Sequence, residues 1–221
     1  MRKHFKFLIQ LSVAIAVSSA AAGSYDDFFA AIKRDDPAVI RDLVQRGFDP
    51  NSPSPDGSQG LYLALRDGSL KAASALVDSP KTQVDARTAK DETPLMMASL
   101  RGQLEIARKL VARGADVVKT GWTPLHYAAT NGHVPVMELL LEEHAYIDAE
   151  SPNGTTPLMM AAKYGTPAAV KFLLEAGADP TLKNQLGMTA ADFAGQVNRR
   201  ESADLIAAAA KAWREKYKQQ R

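Results

Sequence analysis

Residues 121–129 read Gly-Trp-Thr-Pro-Leu-His-Tyr-Ala-Ala, and variants of this stretch recur along the chain. Thr-Pro-Leu returns at 93–95 and 156–158, and Thr-Ala-Ala stands at 189–191. In the same register, units start near residues 26, 59, 93, 123, 156 and 189, in steps of 30 to 34 residues. An internal period of this length predicts a repeat protein, because one short unit cannot bury its apolar face without its neighbours.

Three positions recur in every unit and predict two helices separated by a turn. Alanine stands five residues after each start, a turn residue nine after it, and leucine or isoleucine seventeen after it. The alanines are Ala31, Ala64, Ala98, Ala128, Ala161 and Ala194, and the turn residues are Asp35, Gly68, Gly102, Gly132, Gly165 and Asn198. Alanine allows neighbouring first helices to pack closely. The turn residues are expected to take the positive φ that ends a helix tightly.

The quoted stretch, together with Gly-Ala-Asp at 114–116 and 177–179, resembles the ankyrin repeat, and the resemblance covers residues 25–210. It implies an all-α ankyrin-repeat solenoid of about six helix-turn-helix units with β-turn fingers, used for binding other proteins. The first unit lacks Thr-Pro and the sixth continues its helix towards Trp213, so both are expected to be caps. The stretch 211–221 is expected to form a basic helix end.

Three departures from the repeat carry further expectations. The second helix of the second unit is expected to stop early at Pro80, since that unit lacks its closing glycine. The turn from Val117 to Gly121 is three residues short, so its finger should be stunted. His144 occupies a position where the first, third and fifth units have a glycine cap, and histidine takes a positive φ only at some cost.

The N-terminus has the three parts of a secretory signal peptide, which predicts that residues 1–22 are removed. A positive head at 1–6 precedes an apolar stretch at 7–17, and Ala20 and Ala22 form a small-residue cleavage site. The repeat domain would then occupy 23–221. The alternative is an uncleaved membrane tether that holds an ankyrin scaffold, although the apolar stretch is short for the roughly 20 residues that span a bilayer.

The net charge of the processed chain indicates which partners to expect, and its cysteine content indicates the compartment. The 27 basic residues include Arg2, Lys3 and Lys6, so the processed chain has 24 basic and 25 acidic residues. A chain this close to neutral has no bulk attraction for nucleic acid, and no membrane contact is expected after cleavage. The absence of cysteine excludes disulfides and thiolate sites. Export without cysteine favours a periplasmic or secreted protein of a Gram-negative bacterium.

The sequence contains no arrangement of residues that indicates catalysis, so no catalytic residue, metal site or cofactor is expected. His126, His133 and His144 have no spaced partner ligands. In ankyrin repeats, histidines at the positions of His126 and His133 form hydrogen bonds that tie turns together. The methionine pairs at 96–97 and 159–160 are expected to fill the core between repeats. We therefore predict that the protein is not an enzyme.

The resemblance places the binding surface on the concave face, at the ends of the first helices and along the fingers. The candidate partner-binding residues are Lys33, Arg34, Arg66, Asp67, Arg101, Trp122, Asn131, Lys163 and Tyr164. Positive residues dominate the first three units, which favours an acidic surface on the partner. The prediction is a non-catalytic interaction module, with a periplasmic inhibitor or immunity-type protein as the alternative. The partner's identity and the oligomeric state stay open.

Overall fold

The computed structural model describes residues 23–218, with side chains up to residue 216. The predicted signal peptide, residues 1–22, lies outside the described residues. The helices are α1 (described over 23–33), α2 (Pro37–Gln45), α3 (Gly60–Asp67), α4 (Leu70–Asp78), α5 (Pro94–Leu100), α6 (Leu104–Ala112), α7 (Pro124–Asn131), α8 (Val134–Glu142), α9 (Pro157–Lys163), α10 (Pro167–Glu175), α11 (Ala190–Gln196) and α12 (Arg200–Lys218). This is the all-α fold that the repeat pattern predicts.

Threonine begins the first helix in each of the last four repeats. Thr93, Thr123, Thr156 and Thr189 each accept a hydrogen bond from the backbone N–H three residues later. The side chain of that third residue accepts in turn from the threonine N–H, so two otherwise unpaired donors are satisfied together. At α5 and α9 this acceptor is the sulfur of Met96 or Met159, and both methionines are buried. The sequence thus fixes where these helices begin.

The turn that follows the first helix has a positive φ in five of the six repeats, as predicted. The values run from 55° at Asp35 to 80° at Gly68. The prediction is wrong at Gly165, which lies outside the positive-φ region. A Cβ on Gly165 would lie 2.5 Å from the Ala129 carbonyl oxygen and 2.9 Å from the Ala161 Cα. Glycine is needed there because two backbones approach closely.

The second helices of the first five repeats all have the same length, which contradicts the predicted early stop of α4. Helix α4 has nine residues and ends at Asp78, and α2, α6, α8 and α10 also have nine. What differs is the residue after the helix. Ser79 is extended, with φ −79° and ψ 121°, whereas His144 takes the left-handed conformation expected of it, with φ 66°. The missing glycine therefore changes the exit of the chain and leaves the helix length unchanged.

The chain forms two compact units, residues 1–89 and 90–221, of which the first is described from residue 23. In the first unit, α4 contacts both α2 and α3. In the second unit, α5, α7, α9 and α11 contact one another in succession and form a first-helix row, and α6, α8, α10 and α12 form a second-helix row. The recurring alanines of the first-helix row are fully buried, which agrees with close packing between repeats.

Three of the fingers between repeats are closed by a backbone hydrogen bond across the turn. Ser54 donates to Ser58 at 2.8 Å, Ser151 to Thr155 at 2.9 Å, and Asn184 to Met188 at 3.0 Å. The short segment 117–121 is organised differently, since the Val118 N–H donates to the Asp116 carboxylate at 2.9 Å and the Lys119 side chain is buried. The finger is stunted, as the three-residue deletion predicts.

Candidate functional site

In the first unit the predicted binding residues lie at the ends of two first helices. Lys33 and Arg34 are exposed at the end of α1, and Arg66 and Asp67 are exposed at the end of α3. The Arg66 guanidinium lies 2.7 Å from the Asp67 carboxylate and 3.9 Å from that of Asp56. The hydrogen bond to Asp67 raises the pKa of Arg66 above its usual range. The charge of Arg66 is therefore balanced within the protein, while Lys33 and Arg34 provide the positive charge at α1.

In the second unit the predicted residues lie at the ends of α5, α7 and α9. Arg101 and Asn131 are exposed, and the Asn131 amide donates to the Leu100 carbonyl at 2.7 Å. Lys163 is half-buried, with its ammonium 5.4 Å from the Tyr164 ring centroid and 5.5 Å from that of Phe193. The Tyr164 side chain is 50% exposed. Asn131 and Lys163 therefore contribute to packing between repeats, and Tyr164 is the large side chain left at the surface.

Trp122 supports the stunted finger and does not belong to the row of helix ends. It is half-buried directly before the helix cap Thr123. Its ring meets the His126 ring edge-to-face, with the centroids 5.2 Å apart and an interplanar angle of 74°. Because this contact covers part of the indole ring, only the remaining surface of Trp122 is available to a partner.

His126 and His133 connect neighbouring repeats by hydrogen bonds, as predicted from their positions. His126 is fully buried, and its Nδ1 accepts from the Thr123 N–H at 3.2 Å. This assigns the proton to Nε2, which donates to the Thr155 carbonyl at 2.9 Å. Desolvation by burial lowers the His126 pKa to about 4. The His133 Nε2 lies 3.1 Å from the Leu100 carbonyl. Both histidines therefore have structural partners.

Over residues 23–218, no group of three or more histidine or carboxylate side chains is placed to bind a metal ion. In the same part of the chain, no helix is long and apolar enough to cross a membrane.

The structure shows a second candidate surface that the sequence analysis missed. A cavity of about 310 Å³ lies at the stunted finger and is lined by Val117, Val118, Lys119, Thr120, Gly121, Thr123, Tyr146, Ala149 and Glu150. Two of these side chains are apolar and exposed, Val118 at 58% and Tyr146 at 64%. We name this cavity the finger notch. The shortened turn was visible in the sequence, but its consequence depends on how Tyr146 of the next repeat is placed.

Comparisons with known proteins agree with this architecture. A family model described as ankyrin repeats in three copies matches residues 28–120, 118–184 and 147–212. The nuclear factor NF-kappa-B p105 subunit of Gallus gallus is 33% identical over an alignment of 153 residues that covers 66% of this chain and 16% of that protein. The first curated relatives are thus much longer than the region that this chain matches.

Two solved structures extend the comparison to the fold. The human ASB11 ankyrin repeat domain superposes with a TM-score of 0.74 at 27% identity, covering 82% of each chain. A chain from the complex of a predatory endopeptidase of Bdellovibrio bacteriovorus with an immunity protein gives a TM-score of 0.71 at 29% identity, covering 82% of this chain and 97% of that chain. Since the family model spans most of the residues and the structures share the helix arrangement, this chain belongs to the ankyrin-repeat family.

Proposed function

We propose that this chain is a non-catalytic protein, exported to the periplasm, that binds another protein through its concave face. Ankyrin repeats are protein–protein interaction modules, and the concave face is the one that first helices and fingers line in this family. The proposal of export is supported by the three-part pattern of residues 1–22.

The exposed Tyr164 at the end of α9 is the observation that carries the concave-face proposal. Tyrosine presents a large, rigid surface with few rotatable bonds, and it is enriched among the residues that dominate binding energy. The Lys163 ammonium lies over its ring, 5.4 Å from the centroid, which restrains the ring before a partner arrives. The exposed positive residues Lys33, Arg34 and Arg101 support an acidic surface on the partner.

Site-specific photo-cross-linking in the producing cell tests this proposal. A photoreactive amino acid at position 164 should give a cross-linked species in the periplasmic fraction. The same amino acid at Lys171, which is exposed on α10 of the second-helix row, should give none. The intact mass should correspond to a chain that begins near Gly23. Equal cross-linking at both positions would refute the concave face, and a chain that keeps residues 1–22 would refute processing.

An immunity-type inhibitor is the second candidate, favoured by one comparison. The structure of the endopeptidase complex contains an immunity protein, and a chain of that structure matches this one over 97% of its own length. An inhibitor of this kind would bind a hydrolase in the same compartment and block its activity. This requires no chemistry in the ankyrin chain itself, which agrees with a sequence that lacks catalytic motifs.

The activity of the cross-linked partner separates the two candidates. If the partner is a hydrolase, its turnover of a fluorogenic peptide should fall as purified ankyrin chain is added, and it should approach zero at saturation. The Tyr164→Ala variant should require a higher concentration for the same inhibition. A partner hydrolase that stays fully active when it is saturated with the ankyrin chain would exclude the inhibitor. The non-catalytic interaction module would then be the candidate that remains.

A further inference from the structure

We propose that the finger notch is a second docking site, which takes a loop of a partner protein that carries a lysine or arginine beside a large apolar side chain. This inference rests on the proposed function only in requiring that the chain binds a protein. It concerns a finger and does not depend on the helix-end residue Tyr164, and it adds the chemistry of a partner segment.

The notch exists because this chain lacks part of one finger. In the next finger, the hydrogen bond from Ser151 to the Thr155 carbonyl closes a full turn. The segment 117–121 is three residues shorter and leaves open a cavity of about 310 Å³. Its walls include the buried residues Val117 and Ala149 as well as the exposed Val118 and Tyr146. Walls of this kind lose unfavourable contact with water when an apolar side chain enters.

Lys119 holds the floor of the notch and contributes no free positive charge to it. Its side chain is only 1% exposed, and its ammonium binds the Asp91 carboxylate and donates to the Thr120 carbonyl at 3.1 Å. A buried ammonium held by a carboxylate and a carbonyl fixes the backbone around it, because losing the carboxylate would leave a buried charge unpaired. The short segment is therefore a shaped wall that is already in place.

The exposed charge that lines the notch is negative, because Lys119 is buried and paired with Asp91 whereas Glu150 is exposed. The fourth repeat, residues 123–155, contains no lysine or arginine and five carboxylates: Glu138, Glu142, Glu143, Asp148 and Glu150. The Asp148 carboxylate already accepts the Asp179 N–H at 3.1 and 3.2 Å. Glu150 is exposed and lines the notch. Among residues 23–216, whose side chains are described, no cation forms an ion pair with it.

These features select one kind of occupant. The apolar side chain of a loop would enter between Val118 and Tyr146, and a neighbouring cation would reach the Glu150 carboxylate. An acidic loop would bring like charge to a repeat that has no cation of its own, so it is disfavoured. An apolar loop without a cation would leave Glu150 without a partner and would lose the electrostatic attraction.

A library of disulfide-closed seven-residue loops displayed on phage, panned on the purified chain, tests this inference. We expect the selected loops to carry lysine or arginine within two positions of a large apolar residue. Binding of a synthetic selected loop should weaken at least ten-fold in Tyr146→Ala and in Glu150→Lys. It should change less than two-fold in Leu186→Ala, which alters an exposed side chain elsewhere in the same unit.

Circular dichroism and urea midpoints equal to those of the parent would show that the variants are folded. Failure to select any loop, selection of loops without a basic residue, or binding that is insensitive to both Tyr146 and Glu150 would overturn the inference. The concave-face proposal has a separate readout, because its cross-link at position 164 does not involve the notch. Loss of one result with retention of the other therefore shows which proposal has failed.

Discussion

The lack of a side chain at position 165 determines how closely two repeats can approach. Because a Cβ there would meet the backbone of Ala129 and Ala161, which cannot rotate away, Gly165→Ala should destabilise the fold by about 1–3 kcal/mol. The control is Gly195→Ala, an exposed position in α11 with no atom within 4 Å of the added Cβ. It should stabilise the protein by up to about 1 kcal/mol. Urea unfolding measures both changes, and equal shifts of the two midpoints would contradict this explanation.

The buried His126 should make stability depend on pH on the acid side of neutrality. Its pKa is about 4 in the folded protein, and that of an unfolded histidine is about 6.5. Above pH 6.5 neither state binds the proton, so this contribution is constant there. As pH falls from 6.5 to 4, the unfolded state gains a proton that the folded state does not, and stability drops by roughly 3 kcal/mol in total.

The variant His126→Gln isolates that contribution from the carboxylates that titrate over part of the same range. Glutamine is uncharged at every pH, so the stability difference between parent and variant should shrink as the pH falls from 6.5 to 4. Urea midpoints measured at half-unit intervals give this difference directly. Parallel curves for the two proteins would show that His126 becomes protonated within the fold.

At the scale of the helix, the recurring alanines set the spacing of the first-helix row. Ala128 is fully buried on α7, which contacts both α5 and α9. Ala128→Leu should therefore destabilise the protein by about 1–3 kcal/mol, because overpacking moves the neighbouring helices. Ala112→Leu makes the same chemical change at an exposed position of α6 and should stay within about 0.5 kcal/mol. Similar urea midpoints for the two variants would show that the alanine row is not the tight contact.

The starts and ends of the helices were predictable where they depend on residues within one repeat. They were less predictable where they depend on contacts between two repeats. Thr123 and its equivalents cap helices through bonds within one turn, so the sequence alone located these helix starts. The glycine at position 165 was explained by a positive φ, which is wrong. The close contact that requires glycine there comes from Ala129 of the preceding repeat. The end of α4 was wrongly placed because its length follows the packing shared by the second helices of the first five repeats, which outweighs the missing cap glycine.

For the candidate binding surface, too, features within one repeat were predictable from the sequence and features formed between repeats were not. Exposure at the helix ends follows from repeat register, so Arg34 and Tyr164 were correctly expected at the surface. The second carboxylate beside Arg66 was not predictable, since Asp56 comes from a finger. The finger notch was missed because Val118 and Tyr146 belong to different repeats and line one cavity only once these repeats are stacked.

At the scale of the whole molecule, charge is distributed unevenly although the total is close to neutral. The third repeat, residues 93–122, contains five basic and two acidic residues, whereas the fourth contains five acidic and no basic residues. A partner that covers both repeats therefore meets potentials of opposite sign within one repeat spacing. Such alternation fixes register and orientation, because a shifted partner would place like charges opposite each other.

The triple variant Lys33→Glu, Arg34→Glu and Arg101→Glu tests whether the positive helix ends bind the partner. Arg66 is left unchanged, since its reversal would also break the pairing with Asp67. We expect binding of the cross-linked partner to fall at least ten-fold, because charge reversal opposes both encounter and contact. The dependence of the association rate on salt should weaken as well, since fewer attractive charges are left to screen. Surface plasmon resonance at two salt concentrations measures both effects.

The basic helix end provides the matched control for this reversal. Lys211→Glu with Arg214→Glu changes the net charge in the same direction at exposed positions of α12. If long-range attraction by total charge governed binding, the two sets of variants would weaken it in proportion to the number of charges reversed. If the helix ends contact the partner, the α12 pair should alter affinity less than two-fold. Loss of binding in the α12 pair alone would move the partner site to residues 211–221, and the concave face would no longer account for recognition.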